Sequence, residues 1–541
     1  MAPRRPVVPA LLLPLLTATA LVGSPAPAAA ATISAATHAA PAHATSARVA
    51  TSGPRFVDIT SGDVVLKANV VTPTGSGRYP ALIMPSSWGL NDLEYVAQAI
   101  KLAERGYVVV SYTPRGWWFS EGEIDTAGPK DLADLSRIID WTLANTPADP
   151  ARVGAAGISY GAGISVLGAA HDKRIRAVGV MSGWADMVSA LYADQTRHRQ
   201  AGGFLKIAAD TLGNPSAELS EYLDDFAANR NVEGVSAWAK TRSPATYVDA
   251  LNANGTAVLI ANGWGDTFFP PNQIVDFYQR LTVPKRLELR PGDHAIPELT
   301  GLIGLSNEVW TSLYRWFDLH LRGISGGVDL HHPVSIKPYN AATENYADWP
   351  AVTDDTRRYG LGAIRTWDGT GLLGGAPSTG WSKTLPTDRD TTANGGIAII
   401  TNGIAAFTGK QPWTWLPTVD RSRAGVWASE RPSQTQRIRG IPKLHLDLTG
   451  TEPQGTVVAY LYDLDPLGGA GLITHSPTTW LDTKGGARTV DLNLSATAYD
   501  LPAGHSLTLV IDTVDGLYYD ENEPRKSVTV AGGSYLDVPL G

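Results

Sequence analysis

The sequence predicts an α/β fold with a helical insertion, followed by an antiparallel β-sandwich domain. Short β-branched segments alternate with amphipathic helical segments over residues 54–326, and this alternation is typical of a mostly parallel sheet covered on both faces. The alternation is interrupted over residues 186–252, where the pattern is helical and poor in strands. Over residues 327–541 short alternating segments are separated by turn residues, which indicates an antiparallel β-sandwich.

The composition indicates a globular protein and excludes several kinds of partner and active site. The chain has 541 residues, of which 43% are hydrophobic and 18% charged, enough for two or three domains with sizeable cores. A net charge of −8 argues against nucleic acid or an anionic membrane as partner, since both need clustered Lys and Arg. The absence of cysteine excludes thiol nucleophiles and thiolate zinc sites. We expect no cofactor. Asp520–Glu523 offers four potential oxygen ligands in a row, but it lacks the loop pattern of a calcium site, so a solvated turn is favoured over a metal site.

Residues 1–31 have the pattern of an export signal. Two arginines precede the apolar stretch Val7–Val22, and Ala29–Ala31 offers small residues to a signal peptidase. The stretch is short for a membrane span and contains prolines, so a cleaved signal and a secreted chain without a span are favoured over an anchor. Export by the general or the twin-arginine route stays open. Residues 32–53 are expected to be a disordered leader.

The elements of the α/β domain follow from periodicity. A hairpin is expected around Ser61-Gly62-Asp63. The insertion at 186–252 is interpreted as a cap over the carboxyl edge of the sheet, with an excursion away from the site as the alternative. The predicted strands are Phe56–Thr60, Val64–Val71, Ala81–Met84, Tyr107–Tyr112, Val153–Ile158, Ile175–Met181, Ala257–Ala261 and Arg286–Leu289. The predicted helices are Glu94–Arg105, Lys130–Leu143, Gly161–Ala170 and Val309–Leu321.

The motif G-x-S-x-G occurs twice, and its context separates the two copies. Gly157–Gly161 follows a predicted strand and opens into an Ala-rich helix, the strand–turn–helix arrangement of a nucleophile elbow. Gly323–Gly327 follows a helix and leads into the domain junction, so it is interpreted as a linker. Ser159 is therefore the candidate nucleophile, and a helix-capping serine is the alternative interpretation. Ser325 is expected to have no chemical role.

A serine nucleophile needs a base, and the base needs a carboxylate to hold its tautomer. In α/β-hydrolases the chain order is Ser, acid, His, with the last two in loops after later strands. Asp266 and His294 occupy such loops. Asp186 and Asp293 are rival acids. Asp293 is the weaker of the two, because neighbouring side chains usually point in different directions.

With these residues the chain resembles the Xaa-Pro dipeptidyl-peptidase and cocaine-esterase group of serine hydrolases, from about Phe56 to the C-terminus. The resemblance rests on four features of the sequence. They are Gly157-Ile158-Ser159-Tyr160-Gly161, Tyr112-Thr113-Pro114-Arg115-Gly116 with Ser120-Glu121-Gly122, Gly263-Trp264-Gly265-Asp266 with Phe268, and a β-rich tail containing Ala503-Gly504-His505. The resemblance implies an acyl-serine mechanism on an ester or amide. It also implies that the β-sandwich of residues 327–541 is a jelly-roll domain like the one that this group carries after the hydrolase.

The resemblance also implies an oxyanion hole made by the backbone N–H of Tyr160 and a tyrosine hydroxyl after the third strand. The chain departs from the family there, because Trp88 stands where that tyrosine is expected. Either the Trp88 indole N–H or a nearby backbone N–H replaces the hydroxyl, or Trp88 only lines the pocket. Losing one such donor costs on the order of a hundredfold in rate.

Aromatic residues in loops at the predicted carboxyl edge suggest an apolar substrate pocket. They are Trp117, Trp118, Phe119, Trp184 and Phe268. The substrate is then a small ester or a short peptide. For a peptide, Asp186, Glu121 or Glu123 is a candidate for binding the amino group. A different class stays open, a polymer- or carbohydrate-binding protein with a vestigial hydrolase domain and an aromatic platform of Trp413, Trp415, Trp427 and Trp480. The oligomeric state does not follow from the sequence.

Overall fold

The computed structural model describes residues 48–541, so the export signal and most of the leader predicted above lie outside the described residues. The predicted fold class is confirmed: an α/β-hydrolase-like mixed sheet with a helical insertion is followed by an all-β domain. Over residues 48–541, the helices are all too short or too polar to cross a lipid bilayer.

The first domain is built on a sheet of ten strands in the order β1-β2-β4-β3-β5-β6-β7-β8-β9-β10. Its strands are β1 Arg55–Ser61, β2 Val64–Val71, β3 Tyr79–Pro85, β4 Val108–Tyr112, β5 Ala148–Ile158, β6 Ile175–Met181, β7 Ala257–Gly263, β8 Lys285–Arg290, β9 Val334–Ile336 and β10 Glu344–Tyr346. Strands β3 to β9 pair in parallel, while β1, β2 and β10 pair antiparallel at the two edges. The carboxyl ends of the parallel strands therefore meet at one edge, where ligands bind in open α/β sheets.

The sheet continues beyond the boundary predicted at residue 326. Strand β9 pairs with β8 and β10 pairs with β9, so two strands within the range assigned to the second domain extend the first sheet. The difference has a simple cause. Strands of three residues carry little periodicity. The edge of β8 gives β9 its partner, and β9 in turn pairs with β10.

Helices cover both faces of the sheet. On one face Leu135 of α2 and Ile164 of α3 pack in one apolar core. On the other, Leu102 of α1 and Phe317 of α11 pack in a second core. The helices are α1 Val96–Glu104, α2 Pro129–Asn145, α3 Tyr160–His171, α4 Met187–Leu191, α5 Arg199–Leu212, α6 Ala217–Ala228, α7 Val232–Thr241, α8 Val248–Asn254, α9 Pro271–Arg280, α10 Leu299–Leu302 and α11 Glu308–Arg322. Helices α4 to α8 lie between β6 and β7 and form the insertion.

The second domain consists of two packed sheets and one helix, α12 Ile400–Thr408. Its strands are β11 Asp355–Gly360, β12 Gly371–Leu372, β13 Ser382–Pro386, β14 Trp413–Trp415, β15 Gly425–Ala428, β16 Gln436–Gly440, β17 Lys443–Thr451, β18 Gln454–Leu464, β19 Gly469–Leu481, β20 Gly486–Asn493, β21 Thr497–Leu501, β22 Ser506–Asp512 and β23 Ser527–Leu540. Strand β23 is central to one sheet and pairs with β11, β13, β16 and β17. The other sheet has the order β12-β15-β22-β18-β19-β14.

The platform of four tryptophans considered for carbohydrate binding is wrong. Trp427 is fully buried in the sandwich core and Trp480 is 5% exposed. Only Trp413 and Trp415 present surface, with exposed fractions of 63% and 41%. Alternation along a strand places every second side chain inward, and the sequence did not reveal which tryptophans take the inward register.

Candidate active site

Ser159 lies in the turn between β5 and α3, at the carboxyl edge of the sheet. Its backbone has φ 55° and ψ −116°, a conformation that is costly for a residue with a Cβ and that is found where strain serves function. The flanking glycines make the turn possible. A Cβ at Gly161 would lie 2.0 Å from the Pro85 carbonyl oxygen, and one at Gly157 would lie 2.5 Å from the backbone of Gly161.

The second copy of the motif has a different structure. Gly323 is the C-cap of α11 in the left-handed conformation, with φ 68°, and Ser325 is exposed in the turn that follows. Its first glycine therefore ends a helix rather than packing a crowded elbow.

Replacing Gly161 with alanine is expected to lower the free energy of unfolding by about 1–3 kcal/mol and the turnover rate by at least about tenfold. The cause is that the new Cβ would displace the end of β3 from the elbow. Thermal unfolding and a hydrolysis assay measure the two effects. Gly203→Ala is the matched control, because a Cβ on this glycine of α5 would meet no atom within 4 Å. Because alanine has a higher helix propensity than glycine, Gly203→Ala should be slightly more stable than the wild type. Equal stability and turnover of the two variants would contradict the packing argument.

The structure brings the side chains of Ser159, His294 and Asp266 together at this edge. His294 Nε2 lies 2.8 Å from Ser159 Oγ, and His294 Nδ1 lies 3.1 Å from Asp266 Oδ2. In the tautomer that these partners favour, Nδ1–H donates to the carboxylate and Nε2 accepts from the hydroxyl. The other carboxylate oxygen, Oδ1, accepts the backbone N–H groups of Phe268 and Phe269 at 3.0 and 2.8 Å. The acid is thereby held in one orientation.

Burial and neighbouring charge shift the pKa of His294 in opposite directions. Burial alone lowers its pKa, because it disfavours the imidazolium ion. The charge and hydrogen bond of Asp266, assisted by Asp293 and Glu298, outweigh burial, so the pKa of His294 lies above its ordinary value. This arrangement stabilises the imidazolium that forms when the base takes a proton.

Both rival acids are used elsewhere. Asp293 Oδ1 accepts hydrogen bonds from Thr267 N, Thr267 Oγ1 and the backbone N–H of His294, so it braces the acid loop rather than the imidazole ring. Burial, with the nearby charge of Asp266, raises the pKa of Asp293 to about 7. Asp186 caps α4 by accepting the Ser189 N–H at 3.0 Å.

The indole N–H of Trp88 is not a free donor, which corrects one of the two options for the second oxyanion contact. It donates to the Leu205 carbonyl of α5 at 3.0 Å. The backbone N–H groups of Trp88 and Tyr160 make no hydrogen bond to any described residue. At a helix N-terminus such as that of α3 a free N–H is expected, because the first turn has no intrahelical acceptors.

Ser87 and Glu94 hold the loop that carries Trp88. Glu94 accepts the Ser87 backbone N–H at 2.7 Å and lies 2.7 Å from Ser87 Oγ. The same hydroxyl lies 2.9 Å from the Ile158 carbonyl, next to the elbow. Burial raises the pKa of Glu94 to about 7. When protonated, Glu94 donates to Ser87 Oγ, which leaves the serine O–H free to donate to Ile158.

A largely apolar cavity opens beside Ser159 and runs under the insertion. Its apolar lining comprises Trp88, Tyr160, Trp184, Met187, Val188, Leu191, Leu205, Leu219, Leu223, Phe226, Val232, Val235 and Phe269. Among the described residues, Asp225 is the one acidic residue in the cavity lining. Its carboxylate lies 3.1 Å from the Arg230 guanidinium. The insertion therefore covers the site, as the cap interpretation required.

Of the five aromatic residues predicted to line the pocket, only Trp184 does so. Trp117 is fully buried behind Trp88, with ring centroids 4.8 Å apart. Trp118 and Phe119 face outward, with exposed fractions of 40% and 75%. Phe268 stacks on the His294 ring at 4.7 Å instead of entering the cavity. Residues 117–119 of the loop after β4 turn away from the cavity, although Thr126 of the same loop lines it.

Three residues around the site were not predicted from the sequence. Phe269 lines the cavity and could have been found as the neighbour of Phe268. Glu94 and Glu298 are buried carboxyl groups near the elbow and the base. Ser182 Oγ donates to Glu298 at 3.0 Å, and burial raises the pKa of Glu298 to about 7. A single Glu in a helical pattern is normally predicted to face solvent, so no local signal indicates that Glu94 and Glu298 are buried.

Comparison with known proteins agrees with this architecture. Residues 61–296 match the model of the X-Pro dipeptidyl-peptidase (S15) family, and residues 327–535 match the X-Pro dipeptidyl-peptidase C-terminal non-catalytic domain. A Bacillus anthracis relative that bears the name of an Xaa-Pro dipeptidyl-peptidase is 24% identical over 288 residues, covering 47% of this chain and 45% of the relative. A Streptomyces avermitilis relative with the same name is 22% identical over 512 residues, covering 79% and 70%. The chain thus matches less than half the length of the first of these.

Solved structures share the fold over both domains. An α-amino acid ester hydrolase has a TM-score of 0.69 at 16% identity, covering 93% of this chain and 98% of its own. A CocE/NonD family hydrolase from Staphylococcus aureus has a TM-score of 0.66 at 13% identity, covering 91% of this chain and 94% of its own. The resemblance noted in the sequence is confirmed. With its hydrolase domain and its C-terminal non-catalytic domain both matched, the chain belongs to the S15 X-Pro dipeptidyl-peptidase family of serine hydrolases.

Proposed function

We propose that the protein hydrolyses carboxylic esters of apolar acids through an acyl-serine intermediate. His294 removes the proton from Ser159 Oγ as the hydroxyl attacks the carbonyl carbon, and Asp266 stabilises the resulting imidazolium. The backbone N–H groups of Tyr160 and Trp88 donate to the oxyanion. His294 then protonates the departing alcohol, and a water molecule, activated in the same way, releases the acid.

The observation that carries the ester proposal is the chemistry of the cavity beside Ser159. Apolar side chains dominate its lining, so an apolar acyl group gains free energy on entering it. Binding the charged amino group of a peptide would need an unpaired carboxylate. Asp225 lies 3.1 Å from the Arg230 guanidinium, so part of its charge is offset before an amine could bind.

A second candidate is Xaa-Pro dipeptidyl-peptidase activity, which the family and the names of two relatives favour. The α-amino acid ester hydrolase fold neighbour adds an intermediate possibility, an ester whose acyl group carries an amine. The residues considered for amine binding do not support either one. Asp186 caps α4, and Glu121 accepts the Val65 N–H at 2.9 Å, while Glu123 is exposed and outside the cavity lining.

A substrate panel tests these alternatives. With a constant p-nitrophenyl leaving group, kcat/KM is expected to rise about fourfold per added methylene from acetate until the acyl group fills the cavity, because each buried CH₂ contributes about 0.8 kcal/mol. Acetates of alcohols of increasing length are the control for the leaving-group side. Hydrolysis of Ala-Pro-p-nitroanilide without a preference for long acyl esters would contradict the proposal and support the peptidase.

We further propose that the protein is exported. The support is the sequence of residues 1–31, with its arginine pair, apolar stretch and small residues before the expected cleavage point. N-terminal sequencing of the protein recovered from culture medium tests this. A chain that stays in the cytosol with its first residues intact would contradict it.

A further inference from the structure

A loop of the β-sandwich domain contacts the insertion next to the apolar cavity. The Tyr519 N–H donates to the Arg197 carbonyl at 3.0 Å, and His198 and Tyr518 form an antiparallel bridge. The Gln200 N–H donates to the Leu517 carbonyl at 3.2 Å. The loop therefore runs beside the segment that enters α5.

Arg197 connects this loop to α6. Its side chain is 7% exposed and belongs to the cavity lining. Nη1 donates to the carbonyls of Phe226 and Ala227 at 2.9 and 2.5 Å, in the last turn of α6, where carbonyls lack intrahelical donors. Nη2 donates to the carboxylate of Glu521, and the Tyr519 ring lies 4.4 Å from the guanidinium carbon. One guanidinium thus binds the C-terminal end of α6 and an acid of the other domain.

Glu521 is itself held in place. Its backbone N–H donates to Thr456 Oγ1 at 3.0 Å, and its Oε1 accepts from Asn229 Nδ2 at 3.1 Å. Asn522 accepts the Thr456 N–H at 2.9 Å and donates to the Thr513 carbonyl at 2.6 Å. The acidic run at 520–523 is engaged in these contacts. Within the described residues no group of three or more His, Asp or Glu side chains is arranged for a metal ion.

The position of α6 matters because this helix forms part of the cavity wall. Leu219, Tyr222, Leu223 and Phe226 of α6 all line the cavity. Phe226 also packs closely on α5, where a Cβ at Gly202 would lie 2.6 Å from its ring. Removing the Glu521 charge would leave a buried guanidinium without a counter-ion beside an apolar space, which is unfavourable unless the side chain or the helix moves.

We propose that Arg197, held by Glu521, is a specificity-determining residue that sets the length of acyl group the cavity accepts, by fixing the end of α6. The β-sandwich domain then takes part in acyl selection without contacting Ser159. This inference rests on the proposed ester hydrolysis, and it assigns the acidic segment a role in substrate choice rather than in metal binding.

Glu521→Gln tests the inference with p-nitrophenyl acetate and octanoate as substrates. We expect kcat/KM to fall about tenfold for octanoate and to stay unchanged for acetate, because only the long chain reaches the wall formed by α6. Glu523→Gln is the matched control. Glu523 is an exposed acid of the same segment, and within the described structure its side chain makes no hydrogen bond or ion pair with α6. It should leave both substrates unchanged.

Arg197→Lys provides a second variant if Glu521→Gln does not fold. Lysine keeps the charge but not the planar fork that joins the carboxylate to two carbonyls, so the same shift against octanoate is expected. An equal fall for both substrates, or a lower melting temperature with unchanged selectivity, would overturn the inference. A wild-type protein inactive on all esters would refute the proposed function instead. The rates of Ser159 labelling by ethyl and octyl fluorophosphonates would then provide the same comparison between variants.

Discussion

Replacing Ser159 with alanine is expected to lower kcat by about 10⁵- to 10⁶-fold, since loss of the nucleophile removes the covalent route and leaves only binding and oxyanion stabilisation. Labelling by a fluorophosphonate should vanish as well. Intact mass and peptide mapping after labelling measure this directly. The alanine variant retains the backbone that strains the elbow, so thermal unfolding is expected to stay close to that of the wild type.

Ser325→Ala is the matched control for this experiment. Ser325 occupies the same motif letters but lies exposed after the C-cap of α11. It should keep full turnover and full labelling. Labelling that persists in Ser159→Ala, or that disappears in Ser325→Ala, would refute the assignment of the nucleophile.

Replacing Asp266 with asparagine is expected to lower kcat by about 10⁴-fold. Two backbone N–H groups, from Phe268 and Phe269, point at Oδ1, so the amide oxygen of asparagine takes that position. The amide NH₂ then faces His294 Nδ1 and forces that nitrogen to accept. The ring proton moves to Nε2, which can no longer take the proton of Ser159. Steady-state kinetics on the best ester of the panel measures the loss.

The pH profile of the same variant gives a second readout. The base must be neutral, and in the wild type the pKa of His294 lies above its ordinary value, so kcat/KM should fall as pH drops through that raised pKa. Without the carboxylate, burial dominates and lowers the pKa, which moves the acid limb to lower pH.

Asp186→Asn is the control for both readouts. Asparagine caps a helix about as well as aspartate, and Asp186 contacts α4 rather than the base. A large loss in Asp186→Asn, or an unshifted acid limb in Asp266→Asn, would exclude Asp266 as the partner of His294.

Most elements of the first domain were predictable because their signals are local. The strand before Ser159, the helix after it and the loops that carry Asp266 and His294 each follow from periodicity and turn residues within a few positions. The same reasoning separated the two G-x-S-x-G copies. Strands β9 and β10 were not predicted, because they are too short for periodicity; β9 forms on the edge of β8 and β10 on the edge of β9.

The pocket was much less predictable. Of the five aromatic residues predicted to line the pocket only Trp184 does so, while the wall comes mainly from the insertion. The indole of Trp88 is bonded to Leu205, 117 positions away, and this contact removes the indole from the choice of oxyanion donors. Which face of a loop or helix meets the site depends on how distant segments pack.

The fold class, the family and the three candidate catalytic residues were therefore predictable, because each rests on short-range patterns of hydrophobicity, backbone conformation and chain order. Packing between distant segments produces the 2.8 Å contact between Ser159 and His294 and the pairing of Arg197 with Glu521, 324 positions apart. It also leaves the backbone N–H of Trp88 without an acceptor among residues 48–541. These contacts arise where the carboxyl edge of the sheet, the insertion and the β-sandwich meet. Their free energy depends on burial and on orientation, which no local pattern records.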